Sequence, residues 1–264
     1  MGFGLIVIGD EILSGKRADK HMTKVIELLA ARGLTLAWAR YVGDEPARIT
    51  ADLRDAFAGP DVVFSCGGIG ATPDDHTRRC AAEASGRPLV LHPEARALIL
   101  ERIRDMAKEQ GTTVDEQHPD TLRRFEMGVF PEGADIVPNP FNKIPGFSVG
   151  EVHFVPGFPV MAHPMIESLL DTRYAKLHRR NAWAERSVIV YGSMEATLTP
   201  LMEDIESRHP GVKVFSLPSV DHPQFGRHIE LGVKGEPGLL DAAYPALLEG
   251  LQQYAVKLGP ELVR

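Results

Sequence analysis

The chain has 264 residues, 44% of them hydrophobic and 25% charged, with a formal net charge of -7 at pH 7. That balance excludes a disordered or fibrous chain and leaves room for one large domain and one small one. An acidic surplus speaks against non-specific nucleic-acid binding, which depends on lysine and arginine neutralising phosphates, and no apolar run reaches membrane-spanning length.

Leu5 to Ile8 is an apolar run too short for a signal-peptide core; it reads as a buried strand ending in Gly9-Asp10-Glu11. Met22, Val25, Ile26, Leu28 and Leu29 recur at helical spacing up to Arg32, and Gly33 supplies the stop. Leu34 to Val42 alternates as a strand and finishes in Gly43-Asp44. Pro46, Ile49, Leu53, Ala56 and Phe57 mark the next helix, closed by Gly59.

The stretch Val62-Val63-Phe64-Ser65-Cys66-Gly67-Gly68-Ile69-Gly70-Ala71-Thr72-Pro73-Asp74-Asp75-His76-Thr77 is where chemistry is expected. A short β-branched run leads into glycines, which let a backbone turn sharply and approach a ligand closely. From Asp74 to Ala84 the residues favour helix, with Asp74 or Asp75 as the expected N-cap and Gly86 as the stop. Free N–H groups at such an end favour a phosphate, whereas two carboxylates beside it repel one; a divalent cation between them resolves the conflict. The competing reading is a plain strand, turn and helix with ordinary capping acids. Neither a P-loop nor a dinucleotide fingerprint is present, because Gly-Lys-Ser/Thr and the third spaced glycine are both missing. Cys66 and Cys80 do not suggest a disulfide framework, which fits a reduced cytoplasm, and Cys66 is expected as a packed thiol rather than a nucleophile. His76 is expected as an exposed first-turn histidine, with assistance to a metal-bound water as the alternative.

Pro93 to Gln110 is strongly helical, and Gly111 to Glu126, without a clear period, reads as an exposed excursion or lid. Asp135 to Val137 is a short strand, and Gly146 to Val155 reads as two strands turning at Gly150. Pro156-Gly157-Phe158-Pro159 then leads into a helix ending near Asp171. That turn offers backbone amides to a ligand, or is simply a tight turn. The basic run Thr172 to Glu185 is the expected boundary between domains 1–172 and 186–264. Beyond it, Ser187–Tyr191, Val212–Ser216 and His228–Val233 read as strands, and Ala196–Ile205 and Leu239–Leu258 as helices. The expected fold class is therefore α/β, a three-layer αβα arrangement on a mostly parallel sheet, followed by a small α+β domain serving as scaffold or dimerisation unit. The alternation brings Asp10 with Glu11, Asp44, and Asp74 with Asp75 to one sheet edge, where open α/β proteins bind ligands.

Ile8-Gly9-Asp10-Glu11-Ile12-Leu13-Ser14-Gly15 with Asp19, Val42-Gly43-Asp44, Cys66 to Asp75, Pro145-Gly146-Phe147 and Val155-Pro156-Gly157-Phe158-Pro159 resemble, in order, the molybdopterin-binding module. That module occurs in molybdenum-cofactor biosynthesis proteins, in the N-terminal part of competence/damage-inducible protein A (CinA) and in eukaryotic FAD synthases; the likeness spans roughly residues 4–171. The segment from Ser187 resembles the small domain that follows the module in CinA, and the nicotinamide-nucleotide deamidase domain of full-length CinA is expected to be lacking. The resemblance implies that Gly67, Gly68, Gly70, Thr72, Gly9, Pro156 and Gly157 hold the ligand's phosphate, that Asp75 and Asp44 are catalytic, and that Asp10, Glu11, Asp44 and Asp75 hold metal. Ala71 stands where the family usually has proline, and His21 where CinA-like members commonly have asparagine. The implied activity is metal-dependent hydrolysis of a nucleoside diphosphate linkage, with ADP-ribose or FAD as substrate and Mg, Mn or Co, with possible potassium, as cofactor. The alternative is a non-hydrolytic protein that binds molybdopterin. A homo-oligomer with a small-molecule nucleotide or pterin phosphate as partner is expected.

Overall fold

The computed structural model describes residues 2–178 and 184–263, and the chain divides into two compact units, 1–178 and 179–264. Within the expected boundary run, residues 179–183 lie outside the described residues.

The first unit opens with β1 (Phe3–Ile8), a short α1 (Asp10–Leu13), α2 (His21–Ala30), β2 (Leu36–Val42), α3 (Pro46–Ala58) and β3 (Val62–Cys66). It continues with α4 (Thr77–Ser85), β4 (Leu89–Leu91), α5 (Pro93–Gln110), α6 (Pro119–Phe125), β5 (Val129–Pro131), β6 (Asp135–Val137), β7 (Gly146–Val149), β8 (Val152–Val155) and α7 (Pro159–Thr172). The six-stranded sheet runs β2-β1-β3-β8-β7-β6, with β2, β1, β3 and β8 mutually parallel, β7 antiparallel to β8, and the edge strand β6 antiparallel to β7.

Strand side chains alternate between two cores, as a period of two requires. Phe3, Leu5, Val7, Val62, Phe64 and Cys66 pack against Val25, Leu28 and Leu29 of α2 and Met165, Ile166 and Leu169 of α7. Ile6, Ile8 and Val63 point the other way, against Ile49 and Leu53 of α3 and Cys80 and Ala81 of α4. Helices thus cover both faces, giving the expected three layers. The sheet register sets the functional edge: Ile8 lies beside Val42, Val7 beside Cys66, and Cys66 beside Val155. The chain consequently leaves the sheet at Gly9, Gly43, Gly67 and Pro156 on one level.

Several expectations are corrected. The helix predicted from Asp74 begins at Thr77, and its N-cap is His76, without a side-chain bond. Residues 72–75 close a turn of their own instead, the Asp75 amide donating to the Thr72 carbonyl. The excursion 111–126 contains α6, capped by His118. β4 and β5 pair with each other, and neither α1 nor this ribbon was expected.

The second unit holds β9 (Ala184–Tyr191), α8 (Glu195–Arg208), β10 (Lys213–His222), β11 (Gly226–Gly235), α9 (Pro237–Leu251) and β12 (Lys257–Val263). Its antiparallel sheet runs β10-β11-β9-β12, with Leu198, Leu201 and Ile205 of α8 and Leu240, Tyr244 and Leu247 of α9 packed on it. The predicted helix to Leu258 stops at Leu251, and the chain then returns as an edge strand with a bulge between Leu258 and Glu261 that accommodates Pro260.

Candidate phosphate and metal site

Gly67 and Gly68 turn the chain out of β3 with φ of +112° and +68°. A Cβ on Gly67 would stand 2.3 Å from the Ile8 carbonyl oxygen, and one on Gly68 would stand 2.2 Å from Thr77 Oγ1. Thr77 is buried and its hydroxyl donates to the Gly67 carbonyl at 3.0 Å, fixing the loop to the first turn of α4. Past this turn, the amides of Gly68, Ile69, Gly70 and Ala71 donate to no acceptor among the described residues. Successive free N–H groups in one loop make a concavity suited to an anion.

The acids stand beside it in two pairs of contacts. Asp10 and Asp44 cap each other across two strand ends: the Asp10 amide donates to Asp44 Oδ2 at 2.9 Å and the Asp44 amide to Asp10 Oδ1 at 3.1 Å. Partial burial raises the Asp44 pKa above the usual carboxylate range, and the charges of Asp10, Glu11 and Asp74 push it in the same direction. Asp75 Oδ2 accepts the Thr72 amide at 2.8 Å and the Thr72 hydroxyl as well. Asp44 and Asp75 each keep one carboxylate oxygen that accepts no hydrogen bond among the described residues.

A cavity of about 540 Å³ opens over the loop. Every residue expected at the site lines it except Asp10, which stands behind and holds Asp44. Gly157 crosses the loop so closely that its own Cβ would lie 3.4 Å from the Gly67 Cα. His76 accepts from Arg79 instead of facing the cavity, and Cys66 is a buried thiol whose pKa burial raises strongly, so it packs rather than reacts. The departing His21 is buried; its Nε2 meets the Gly157 carbonyl at 3.2 Å while Nδ1 has no partner among the described residues, and its ring lies edge-on to His163. It therefore braces the Pro156–Phe158 turn from behind. The second unit has a cavity of its own, about 700 Å³, with neither a glycine loop nor paired carboxylates in its wall.

Two features escaped the sequence reading. Next to Pro145, which belongs to a motif read from the sequence, a wall of the cavity comes from Asn139, Asn142 and Ile144, a loop held by Asn139 hydrogen bonds to Asn142 and Ile144. Arg78 lies beneath the loop, donating to the Gly70 carbonyl at 2.6 Å and to the Glu126 carbonyl. The Asn-Pro composition of the first gave a weak signal; the second gave none, since its partner is 48 residues away.

Among the described residues, no three His, Cys, Asp or Glu side chains gather closely enough to hold a metal by themselves. The free oxygens of Asp44 and Asp75 suit a hard cation that takes one or two carboxylates and completes its shell with ligand phosphate oxygens.

Fold and site together define an open-sheet α/β protein with a ligand cleft at the carboxyl ends of its parallel strands. Residues 4–176 match the family described as "Probable molybdopterin binding domain", and the chain belongs to that family, in its CinA-like branch. A CinA-like protein of Syntrophotalea carbinolica is 30% identical over 99% of this chain and 61% of its own length. A protein of Pyrobaculum calidifontis is 30% identical over 93% of this chain and 94% of its own. The crystal structure of a CinA protein of unknown function from Thermoplasma acidophilum superposes with a TM-score of 0.53 at 26% identity, covering 64% of this chain and 96% of that one. The chain spans about three-fifths of the length of the CinA-like relative from Syntrophotalea. Among the described residues no helix is long and apolar enough to cross a membrane.

Proposed function

We propose that the chain hydrolyses a nucleoside diphosphate linkage, with ADP-ribose or FAD as substrate, at the cleft over Gly67 to Gly70. The observation that supports this most is four consecutive amides without an acceptor among the described residues, next to two carboxylates that each keep an oxygen free of hydrogen bonds there. The amides would take one phosphate and stabilise the charge that develops on it. Asp75, fixed by Thr72, and Asp44, fixed by Asp10, would hold a divalent ion of the Mg, Mn or Co type and orient water toward phosphorus. When bound, such an ion supplies charge neutralisation and lowers the pKa of water; potassium is a further candidate. Purified protein incubated with either substrate and each metal should release AMP, read by ion-exchange chromatography, and Asp75→Asn should abolish release without unfolding. No AMP from any combination would end the proposal.

The match to the molybdopterin-binding family supports a second reading: a protein of cofactor metabolism that binds a molybdopterin phosphate without turnover. Pterin binding with no hydrolysis of any nucleotide would select it. A homo-oligomer in the cytoplasm, where the buried thiols of Cys66 and Cys80 stay reduced, completes the proposal, with light scattering as the test of assembly.

A further inference from the structure

Arg78 sits in the first turn of α4, half-buried, with its guanidinium under the glycine loop rather than in solvent. Its two amino groups end on backbone carbonyls, Gly70 on one side and Glu126 on the other, and its Nε is buried without a partner among the described residues. Arginine of this kind is usually found on a carboxylate, whose geometry matches its fork. Here it grips main chain, and what it grips is the loop that carries the free amides.

In a trans peptide the carbonyl of one residue and the N–H of the next point in opposite directions. With the Gly70 carbonyl drawn down to Arg78, the Ala71 N–H is turned away from it, and Ala71 lines the cavity with its amide free of any acceptor among the described residues. A glycine loop without such a hold is free to rotate that peptide, since glycine accepts either orientation readily. The second grip reaches the single turn Glu126–Gly128, whose Met127 forms another part of the cavity wall, so one side chain ties two walls together. The positive charge also lies close to Asp75 and offsets the carboxylates that would otherwise repel a phosphate.

We propose that Arg78 is a positioning residue: it holds the Gly70 peptide in the orientation that presents the Ala71 amide to the ligand's phosphate, and it links the glycine loop to the Glu126–Gly128 wall. The phosphate as ligand rests on the function proposed above; the orientation of the peptide does not.

The test uses the full-length chain as Arg78→Gln and Arg78→Lys. In ligand-free protein, amide hydrogen exchange at the hydrogen-bonded N–H groups of the loop, those of Thr72, Asp75 and Thr77, should speed up in Arg78→Gln by about tenfold or more, the scale of a lost charge-assisted hydrogen bond, while the strands exchange as before. Arg78→Lys, a point charge that cannot bridge two carbonyls, should fall between. By titration calorimetry the affinity for inorganic pyrophosphate should drop about tenfold in Arg78→Gln, with partial rescue in Arg78→Lys. Unchanged exchange in the loop overturns the proposal, as does an equal rise throughout the first unit, which would mark a merely structural side chain. If the wild type neither binds pyrophosphate nor cleaves a nucleotide, the proposed function fails, while the exchange measurement still decides the role of Arg78.

Discussion

At Asp44 an acidic side chain is held where its charge is disfavoured. Its folded pKa stands above the ordinary carboxylate value near 3.9, so its contribution to stability is present below that value and is lost as pH rises through the raised one. At pH 7 the ionised group therefore weakens the fold. Asn can still accept the Asp10 amide, so Asp44→Asn should melt above the wild type at pH 7, and the gap should close as pH falls toward 4. Millimolar Mg²⁺ should raise the wild-type melting temperature and leave the variant's unmoved, a contrast that calorimetry can read and that ties the strain to ion binding. Gly67 is constrained differently. Alanine there would combine a left-handed backbone with a contact against the fixed Ile8 carbonyl, and the expected cost is about 2–4 kcal/mol, or roughly 5 °C or more in thermal midpoint.

Among elements, the β7–β8 hairpin and the end of α7 share a buried polar chain. The Ser148 hydroxyl bonds His153 Nδ1 at 2.6 Å, His153 Nε2 meets the Tyr174 hydroxyl at 2.5 Å, and Tyr174 donates to Glu151. Because the tyrosine proton goes to Glu151, the imidazole donates through Nε2 and accepts through Nδ1, so it is neutral. Burial, aided by the Arg173 charge, holds its pKa down at about 3. Between pH 6.5 and that value the unfolded chain takes a proton that the folded one refuses, and stability falls by up to about 1.4 kcal/mol per pH unit. His153→Gln should flatten that slope in urea melts between pH 7 and 4; an unchanged slope would mean that other groups carry the acid sensitivity. Elements of this kind were legible wherever a period ran long enough between breakers, as in α2, α3 and α5. They were not where the pattern misled. Leu247, Leu251, Tyr254 and Leu258 keep helical spacing, yet α9 stops at Leu251 and the chain turns back into β12, paired to β9. Likewise α4 starts late because Asp75 binds Thr72 within a local turn, a competition with helix that Asp side chains commonly win.

In the whole molecule, the converging acids were legible because a repeated strand-helix alternation fixes handedness and puts every parallel strand's exit at the same edge. What escaped was set by distant pairs: Arg78 with Glu126, and His21 with Gly157, 136 residues apart. The same topology predicts where function resides. All residues lining the candidate cleft fall between Ile8 and Met161, inside the first unit, whose cores on both sheet faces are drawn from its own strands and helices. The second unit encloses a separate core, from Val188 to Leu251. A fragment of residues 1–178 should therefore fold cooperatively and bind pyrophosphate within about twofold of the full chain, as expected when a domain keeps its own core and all of its contacts to the ligand. Near-ultraviolet circular dichroism checks the folding and calorimetry the binding. A loss beyond about tenfold, equivalent to ~1.4 kcal/mol, would mean that the second unit stabilises the cleft from outside.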